Sequence, residues 1–301
     1  MKKKDRNFRT SIPTAPISKH IDNFLRIKSL SVTPITYRGY YRRLSKFYRY
    51  MNTDIVTEEV FQKFLVKIKQ EVSSGQYNQY LRTLKQYVRF LAERNIIPSS
   101  DFVNSYSAVK RVVKREKHYY SDEDIENFLS EVLKRGFPRW LYWFIWFGFM
   151  FGLRPKEIAL LDINDIDLDK NILIVRAEIT KTKTGAKIPI PTKLRSKIKH
   201  LLSWRKLQES DSTRLFVNSR GEPITEDNLS NHRKALQEID GKFRFYDMRY
   251  TAGWRVYKRT GDIYLTARLL RHVDINQTRV YLQIQEEEAF NQMRSSLEEV
   301  Y

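Results

Sequence analysis

The chain has 301 residues, with 55 Lys and Arg against 35 Asp and Glu, and it carries a formal net charge of +20. Such a surplus favours a polyanionic partner, most often nucleic acid or an anionic membrane surface. A hydrophobic fraction of 41% excludes a disordered basic tail. The absence of cysteine excludes disulfides, thiolate catalysis and Cys-ligated zinc.

The first part of the chain predicts a helical domain over residues 15–97, after a basic tail over residues 1–14. A start signal is clear at Thr33 and Pro34, where a hydroxyl N-cap precedes a proline in the first turn. Apolar residues then recur at spacings of three and four, which predicts one buried face per helix. The buried faces comprise Ile17 to Leu25, Tyr37 to Met51, Val60 to Ile68, and Tyr77 to Leu91.

The outer faces of two of these helices carry cations and almost no acids. Solvated faces usually mix both signs, so these faces predict contacts with DNA phosphates, which position a protein without reading sequence. For any single arginine, solubility is the alternative explanation. Residues 1–118 hold 25 basic and 9 acidic residues, a net of +16, whereas residues 119–301 hold 30 and 26, a net of +4. The predicted DNA-binding residues are Arg38, Arg42, Lys46, Arg82, Lys85 and Arg89.

A basic linker is predicted over residues 98–118, and a second domain over residues 119–301. Pro98 to Asp101 breaks the helical pattern, and Ser121 is an N-cap followed by acidic residues. The apolar run from Trp140 to Leu153 is shorter than the roughly 20 residues that span a bilayer. It therefore predicts a helix buried on all sides, and no membrane partner is expected.

Arg154 lies at a joint between two predicted helices, because the residue before Pro155 is pushed out of helical geometry. A guanidinium beside so apolar a segment requires a partner. Two alternatives are open at this point: a structural ion pair with Glu157, and a bound phosphate.

A small antiparallel sheet follows. Residues 171–175 and 186–191 predict two strands joined by a turn that carries Lys183 near its tip. Helices containing Arg249 and His272 come next. The predicted fold class is mainly α with a small antiparallel sheet, in an α+β arrangement.

Five motifs occur in a fixed order along this second domain, and together they resemble the tyrosine recombinase (phage integrase) family. Each motif is weak alone, whereas five in order at family-like spacing are specific. The resemblance covers nearly the whole chain, because the family also has an N-terminal helical core-binding domain. The motifs are G-L-R-x-x-E around Arg154, K-T-G at Lys183, D-x-R ending at Arg249, L-L-x-H ending at His272, and Tyr281.

The resemblance implies a role for each motif residue. Tyr281 would attack a phosphodiester, leaving a 3′-phosphotyrosyl bond and a 5′-hydroxyl. Arg154 and Arg249 would hold the non-bridging oxygens, Lys183 would protonate the departing oxygen, and His272 would hydrogen-bond the phosphate. The family uses neither metal nor ATP, so no cofactor is expected.

Two positions depart from the family pattern. Tyr246 stands where the family usually has a histidine, and a phenol is a poor base near neutral pH. Arg271 stands where a glycine commonly precedes the motif histidine, and we expect this extra cation to contact DNA. Because the nucleophile, both arginines and the lysine are present, we expect an active enzyme.

The sequence therefore predicts an intracellular site-specific recombinase or integrase, cytoplasmic or associated with the nucleoid. Its predicted partners are a double-stranded recombination site and, on that DNA, a tetramer of the same chain. The acidic stretch over residues 285–301 is predicted to dock on a neighbouring protomer, with a solvated tail as the alternative. Two other functions stay open: DNA relaxation of the type IB topoisomerase kind, and DNA binding by a relative with a weakened site. Both an integrase of a mobile element and a Xer-like chromosome-dimer resolvase fit the motifs.

Overall fold

The computed structural model describes residues 18–51, 56–110, 118–282, 293–294 and 297–298. The chain separates into two compact units, Met1–Arg115 and Glu116–Tyr301. Each unit has a hydrophobic interior of its own.

The first unit contains four helices: α1 Lys19–Ser29, α2 Pro34–Met51, α3 Glu58–Glu71 and α4 Ser74–Glu93. Three of them begin at a hydroxyl N-cap, Ser18, Thr57 and Ser73, whose side chain accepts a backbone N–H of the first turn. Helix α2 begins at Pro34, as the start signal predicts. The four apolar faces meet in one core, with α4 contributing the largest share.

Residues just after α4 pack on this same core, although the sequence predicts that they are part of the linker. Val103 is fully buried within a short 3₁₀ turn, Asp101–Ser105. The rings of Phe102 and Tyr106 meet Phe61 edge-on, with centroids 5.5 and 5.1 Å apart. These apolar side chains give residues 101–109 a surface to bury. The mainly basic residues 111–117 lie outside the described residues.

The second unit is built around the apolar helix that the sequence predicts. Helix α6, Arg139–Phe151, buries ten of its residues and packs between α5, Asp122–Lys134, and α10, Phe245–Thr260. Within the described ranges, no helix combines the length and apolar character needed to cross a bilayer. The other helices of the unit are α7 Pro155–Ala159, α8 Arg195–Lys206, α9 Glu226–Gln237, α11 Ile263–Leu270 and α12 Ile275–Leu282.

A three-stranded antiparallel sheet in the order β1-β2-β3 completes this unit: β1 Ile166–Asp167, β2 Ile172–Val175 and β3 Ala186–Pro189. Leu173 lies opposite Ile188 in the register of β2 and β3, and both are buried. At the end of β2, Arg176 binds Asp165 at 2.8 Å and Asp162 at 2.7 Å, which fixes the base of the hairpin. The predicted class, mainly α with a small antiparallel sheet, is confirmed.

Candidate active site

Arg249 occupies the centre of the motif-bearing region. It lies in the second turn of α10 with 1% of its surface exposed. Its Nη1 donates to the carbonyl of Gly152 at 2.7 Å, and its Nη2 donates to the carbonyl of Leu270. The first carbonyl belongs to the residue that ends α6, and the second to the last residue of α11. One buried side chain therefore joins three motifs that are far apart in sequence.

The residues just before Arg249 hold the start of α10. Asp247 accepts the backbone N–H of Arg244, the N-cap, at 2.8 Å. Burial raises the pKa of the Asp247 carboxyl to about 6, against the lowering effect of this hydrogen bond. The carboxyl is thus a capping group that the protein interior penalises when it ionises.

Arg154 is held by the carboxylate of Glu157, the third residue of α7. Glu157 accepts the backbone N–H of Arg154 at 2.9 Å through Oε2, and the Arg154 Nη1 at 2.6 Å through Oε1. Proline at the first position of α7 favours the turn that makes this possible. The side chain of Glu157 is only 2% exposed, and this burial opposes its ionisation. The charge of Arg271 and the hydrogen bonds from Arg154 outweigh burial and lower the pKa of Glu157.

Of the two alternatives for Arg154, the structure therefore contains the ion pair, and the pair leaves room for an anion. The described contacts of the guanidinium run through Nη1, so the edge formed by Nε and Nη2 is open to another acceptor. The side chain is 18% exposed. A planar fork of this kind suits a phosphate oxygen pair.

The residues from the end of α11 through α12 include two further motif residues, His272 and Tyr281, and the departure from the motif at Arg271. Arg271 ends α11, and its Nη2 lies 2.6 Å from Glu157 Oε2. His272 follows, and its Nδ1 lies 2.8 Å from the hydroxyl of Thr278, which is fully buried in α12. Tyr281 lies in the last turn of α12, and its side chain is outside the described residues.

Lys183 and Tyr246 lie at the surface. Lys183 is exposed in the β2–β3 turn with a positive φ of 57°, and Tyr246 is 46% exposed in the first turn of α10. Within the described part of the chain, neither side chain hydrogen-bonds to Arg154 or Arg249. Their roles stay predictions.

Sequence reasoning gives no role to two supporting residues, Thr278 and Asp247. Thr278 lies six residues after the motif histidine, and nothing in the sequence marks it before α12 folds back over His272. Asp247 is the first residue of the D-x-R motif, but its capping role is not marked in sequence because the N-cap is Arg244 and not the usual Ser or Thr.

The six predicted DNA-binding residues of the first unit lie on α2 and α4. These helices are bridged side by side by Arg43, which donates to Thr83 at 2.7 Å, and by Tyr40, which donates to Gln86 at 2.9 Å. Exposed positions are held by Arg42, Arg82 and Arg89, and partly buried ones by Arg38, Lys46 and Lys85.

Lys46 and Arg89 have partners within the first unit. Lys46 lies 2.6 Å from Glu71, and Arg89 donates to Asn104 at 2.9 Å. Burial, followed by the charge of Arg89, lowers the pKa of Lys85.

Among the described residues, no group of three or more His, Asp or Glu side chains is placed to hold a metal ion.

Comparison with known sequences finds one family. A sequence profile described as the phage integrase family matches residues 119–288, which is more than half of the chain. The tyrosine recombinase XerA of Pyrococcus furiosus is 25% identical over 227 residues, covering 74% of each chain. The tyrosine recombinase XerC of Alcanivorax borkumensis is 25% identical over 135 residues, so the match spans 43% of either chain, less than half of that relative.

Comparison with solved structures finds the same architecture. The Tn1549 transposon integrase, solved in complex with a circular intermediate DNA, superposes with a TM-score of 0.74 at 18% identity. The superposition covers 92% of this chain and 98% of that one. At this level of identity the likeness demonstrates a common fold.

Proposed function

The chain belongs to the phage integrase family, and from this we propose that it is a site-specific DNA recombinase that cuts and rejoins strands through Tyr281. The observation that carries the proposal is the position of Arg249. Its guanidinium binds the carbonyls that end α6 and α11, and so gathers the segments of Arg154 and His272 into one place. A scattered set of motifs would not support a single reaction centre.

The proposed reaction begins when the Tyr281 oxygen attacks a backbone phosphorus. A bond forms between the phenolic oxygen and phosphorus, and the bond to the 5′-oxygen breaks, leaving a 3′-phosphotyrosyl link. The ordinary pKa of tyrosine is about 10, so most of the hydroxyl is protonated near neutral pH. The proposal therefore requires that the guanidinium groups favour the reactive phenolate. Because the phosphotyrosyl link retains the bond energy, the strand is resealed without ATP.

Arg154 is the proposed direct ligand of the phosphate. Its Nε–Nη2 edge is open while Glu157 holds Nη1, and two donors on one edge match two non-bridging oxygens. Arg249 is proposed to stabilise the phosphate charge from its buried position. Because it is buried and bonded to two carbonyls, it is proposed to act on the phosphate through its charge.

The other roles follow from the family. Lys183, on the hairpin turn, is proposed to protonate the departing 5′-oxygen, and His272, held by Thr278, to hydrogen-bond the phosphate. Tyr246 replaces a histidine, so proton transfer at the nucleophile is proposed to be weaker. The proposed assembly is four protomers on two DNA sites, with neither metal nor cofactor in the reaction.

The test is covalent trapping on a nicked suicide duplex, followed as a protein–DNA adduct on a denaturing gel. Wild-type protein should form the adduct, and Y281F should form none, because phenylalanine lacks the attacking oxygen. The matched control is Y264F, because Tyr264 lies on the neighbouring helix α11 and is 70% exposed. A Y281F protein that still traps DNA, or a wild type that traps none across sites and pH, would reject the proposal.

A further inference from the structure

Arg271 adopts a backbone conformation that favours glycine. Its φ of 52° and ψ of 48° place it in the left-handed region at the end of α11. A residue with a Cβ pays about 1 kcal/mol or more to stay there. An arginine at such a position suggests that its side chain makes interactions that offset the strain.

The side chain of Arg271 turns inward instead of toward solvent, with 8% of it exposed. Its Nη2 lies 2.6 Å from Glu157 Oε2, and its Nη1 donates to the carbonyl of Leu269 at 3.0 Å. The same Oε2 accepts the backbone N–H of Arg154, and the second oxygen of Glu157 accepts the Arg154 Nη1. One buried carboxylate therefore connects two arginines from distant motifs.

The arrangement assigns different work to the two guanidinium groups. Arg271 occupies Oε2 from one side, so Glu157 has a fixed orientation and Oε1 is presented to Arg154. A carboxylate as buried as Glu157 is costly unless cations and hydrogen bonds surround it. With Arg271 in place, Glu157 is held by two cations, and Arg154 is gripped at one nitrogen with its other edge open.

We propose that Arg271 is a positioning residue, which orients the phosphate-binding edge of Arg154 through Glu157. This role rests on the proposed recombinase reaction. It differs from the sequence-based expectation that Arg271 contacts DNA, and the two make opposite predictions about affinity.

The test compares three substitutions at this position. R271G relaxes the backbone and removes the charge, R271N removes the charge with a residue that tolerates the left-handed region, and R271K keeps one donor toward Glu157. The matched control is R268A, which removes a charge from the same helix at an exposed position. Each protein is assayed for the rate of covalent trapping at saturating duplex, and for DNA affinity as a function of salt.

A positioning role predicts that R271G and R271N trap DNA at least about tenfold more slowly, since small misplacements of a catalytic group cost this much or more. Their affinity and its salt slope should match wild type, R271K should recover most of the rate, and R268A should keep it. An unchanged rate in R271G would overturn the role. So would weaker binding with a salt slope smaller by about 0.9, which is the signature of a lost phosphate contact.

A further comparison applies if R271G and R271N do not fold. R271Q, E157Q and the double variant are then compared, because glutamine lacks the charge but fills more of the space of the arginine side chain. A linked pair predicts a double-variant rate equal to that of the slower single variant. Rates that multiply would reject the link. A wild type that traps no duplex rejects the proposed function itself, whereas a trapping wild type with an indifferent R271G rejects only the role of Arg271.

Discussion

Asp247 is the buried acid of the α10 start, and its titration should be visible in the stability of the protein. Burial raises its pKa to about 6 from an ordinary value of 3.8. The folded state therefore binds more protons than the unfolded chain between these two values, and stability falls as the pH rises through that window. The charged and titratable groups that affect its pKa are Arg244, His118 and Asp240.

We expect D247N to isolate this effect, because asparagine keeps an oxygen for the Arg244 N–H but does not ionise. From pH 4.5 to pH 7.5, the free energy of unfolding of wild type should fall by about 2 kcal/mol relative to D247N. Urea unfolding at a series of pH values measures both proteins, and taking the difference removes the contribution of groups that do not interact with Asp247. A difference that stays constant with pH would contradict the raised pKa.

The residues of the site differ in how far the sequence could predict them. The Arg154–Glu157 pair is local, because the two residues are three apart across a turn that begins with proline. The sequence therefore predicts this ion pair as one of two alternatives for Arg154. The partners of Arg249 and Arg271 are set by the approach of segments about a hundred residues away. Sequence spacing does not predict contacts between residues that are so far apart in the chain. The sequence also does not distinguish an arginine whose side chain is buried from one that faces DNA.

Helices α6 and α10 both end at a glycine. Gly152 ends α6 and Gly261 ends α10, each in the left-handed region with φ of 60° and 64°. Each N–H closes the last turn of its helix, by bonding the carbonyl of Gly148 and of Tyr257 respectively. The two differ in surroundings: a Cβ on Gly152 would lie 3.0 Å from the Cβ of Ala252, whereas a Cβ on Gly261 would meet nothing within 4 Å.

G261A should therefore cost about 1 kcal/mol in unfolding free energy, from the backbone alone. G152A should cost about 1 to 3 kcal/mol more, because the added methyl group also presses on the buried contact between α6 and α10. It should slow covalent trapping as well, since the Gly152 carbonyl is a partner of Arg249. Equal losses in the two variants, measured by urea unfolding, would mean that the core yields to the methyl group without cost.

Elements with strong periodicity or clear boundary residues were predictable, and short ones were not. The apolar length of α6, the apolar run of β2 and the alternation of residues in β3 are properties of the local sequence. Strand β1 has two residues, too few for any period, and it exists because Ile166 pairs with Leu173. The 3₁₀ turn at Asp101–Ser105 likewise depends on a core that the sequence does not display.

The distribution of charge is a property of the whole molecule. The first 118 residues carry a net +16 and the remainder +4. The near-balanced part contains the arginines of the site, each bound to a carboxylate or to backbone carbonyls. The described portion of the basic part carries a group of cations on the bridged helices α2 and α4, an arrangement suited to neutralising phosphates without chemistry.

The salt dependence of DNA affinity distinguishes specific phosphate contacts from a general electrostatic attraction to DNA. Each contact contributes about 0.9 to the slope of log affinity against log salt. R42E/R82E reverses two exposed cations on α2 and α4, so the slope should decrease by about 1.8. The control K63E/K69E makes the same change in net charge on exposed positions of α3, and its slope should match wild type. Affinity is measured by fluorescence anisotropy across a salt series. If both double variants flatten the slope equally, the first unit attracts DNA through its overall field, and the assignment of the α2 and α4 faces is wrong.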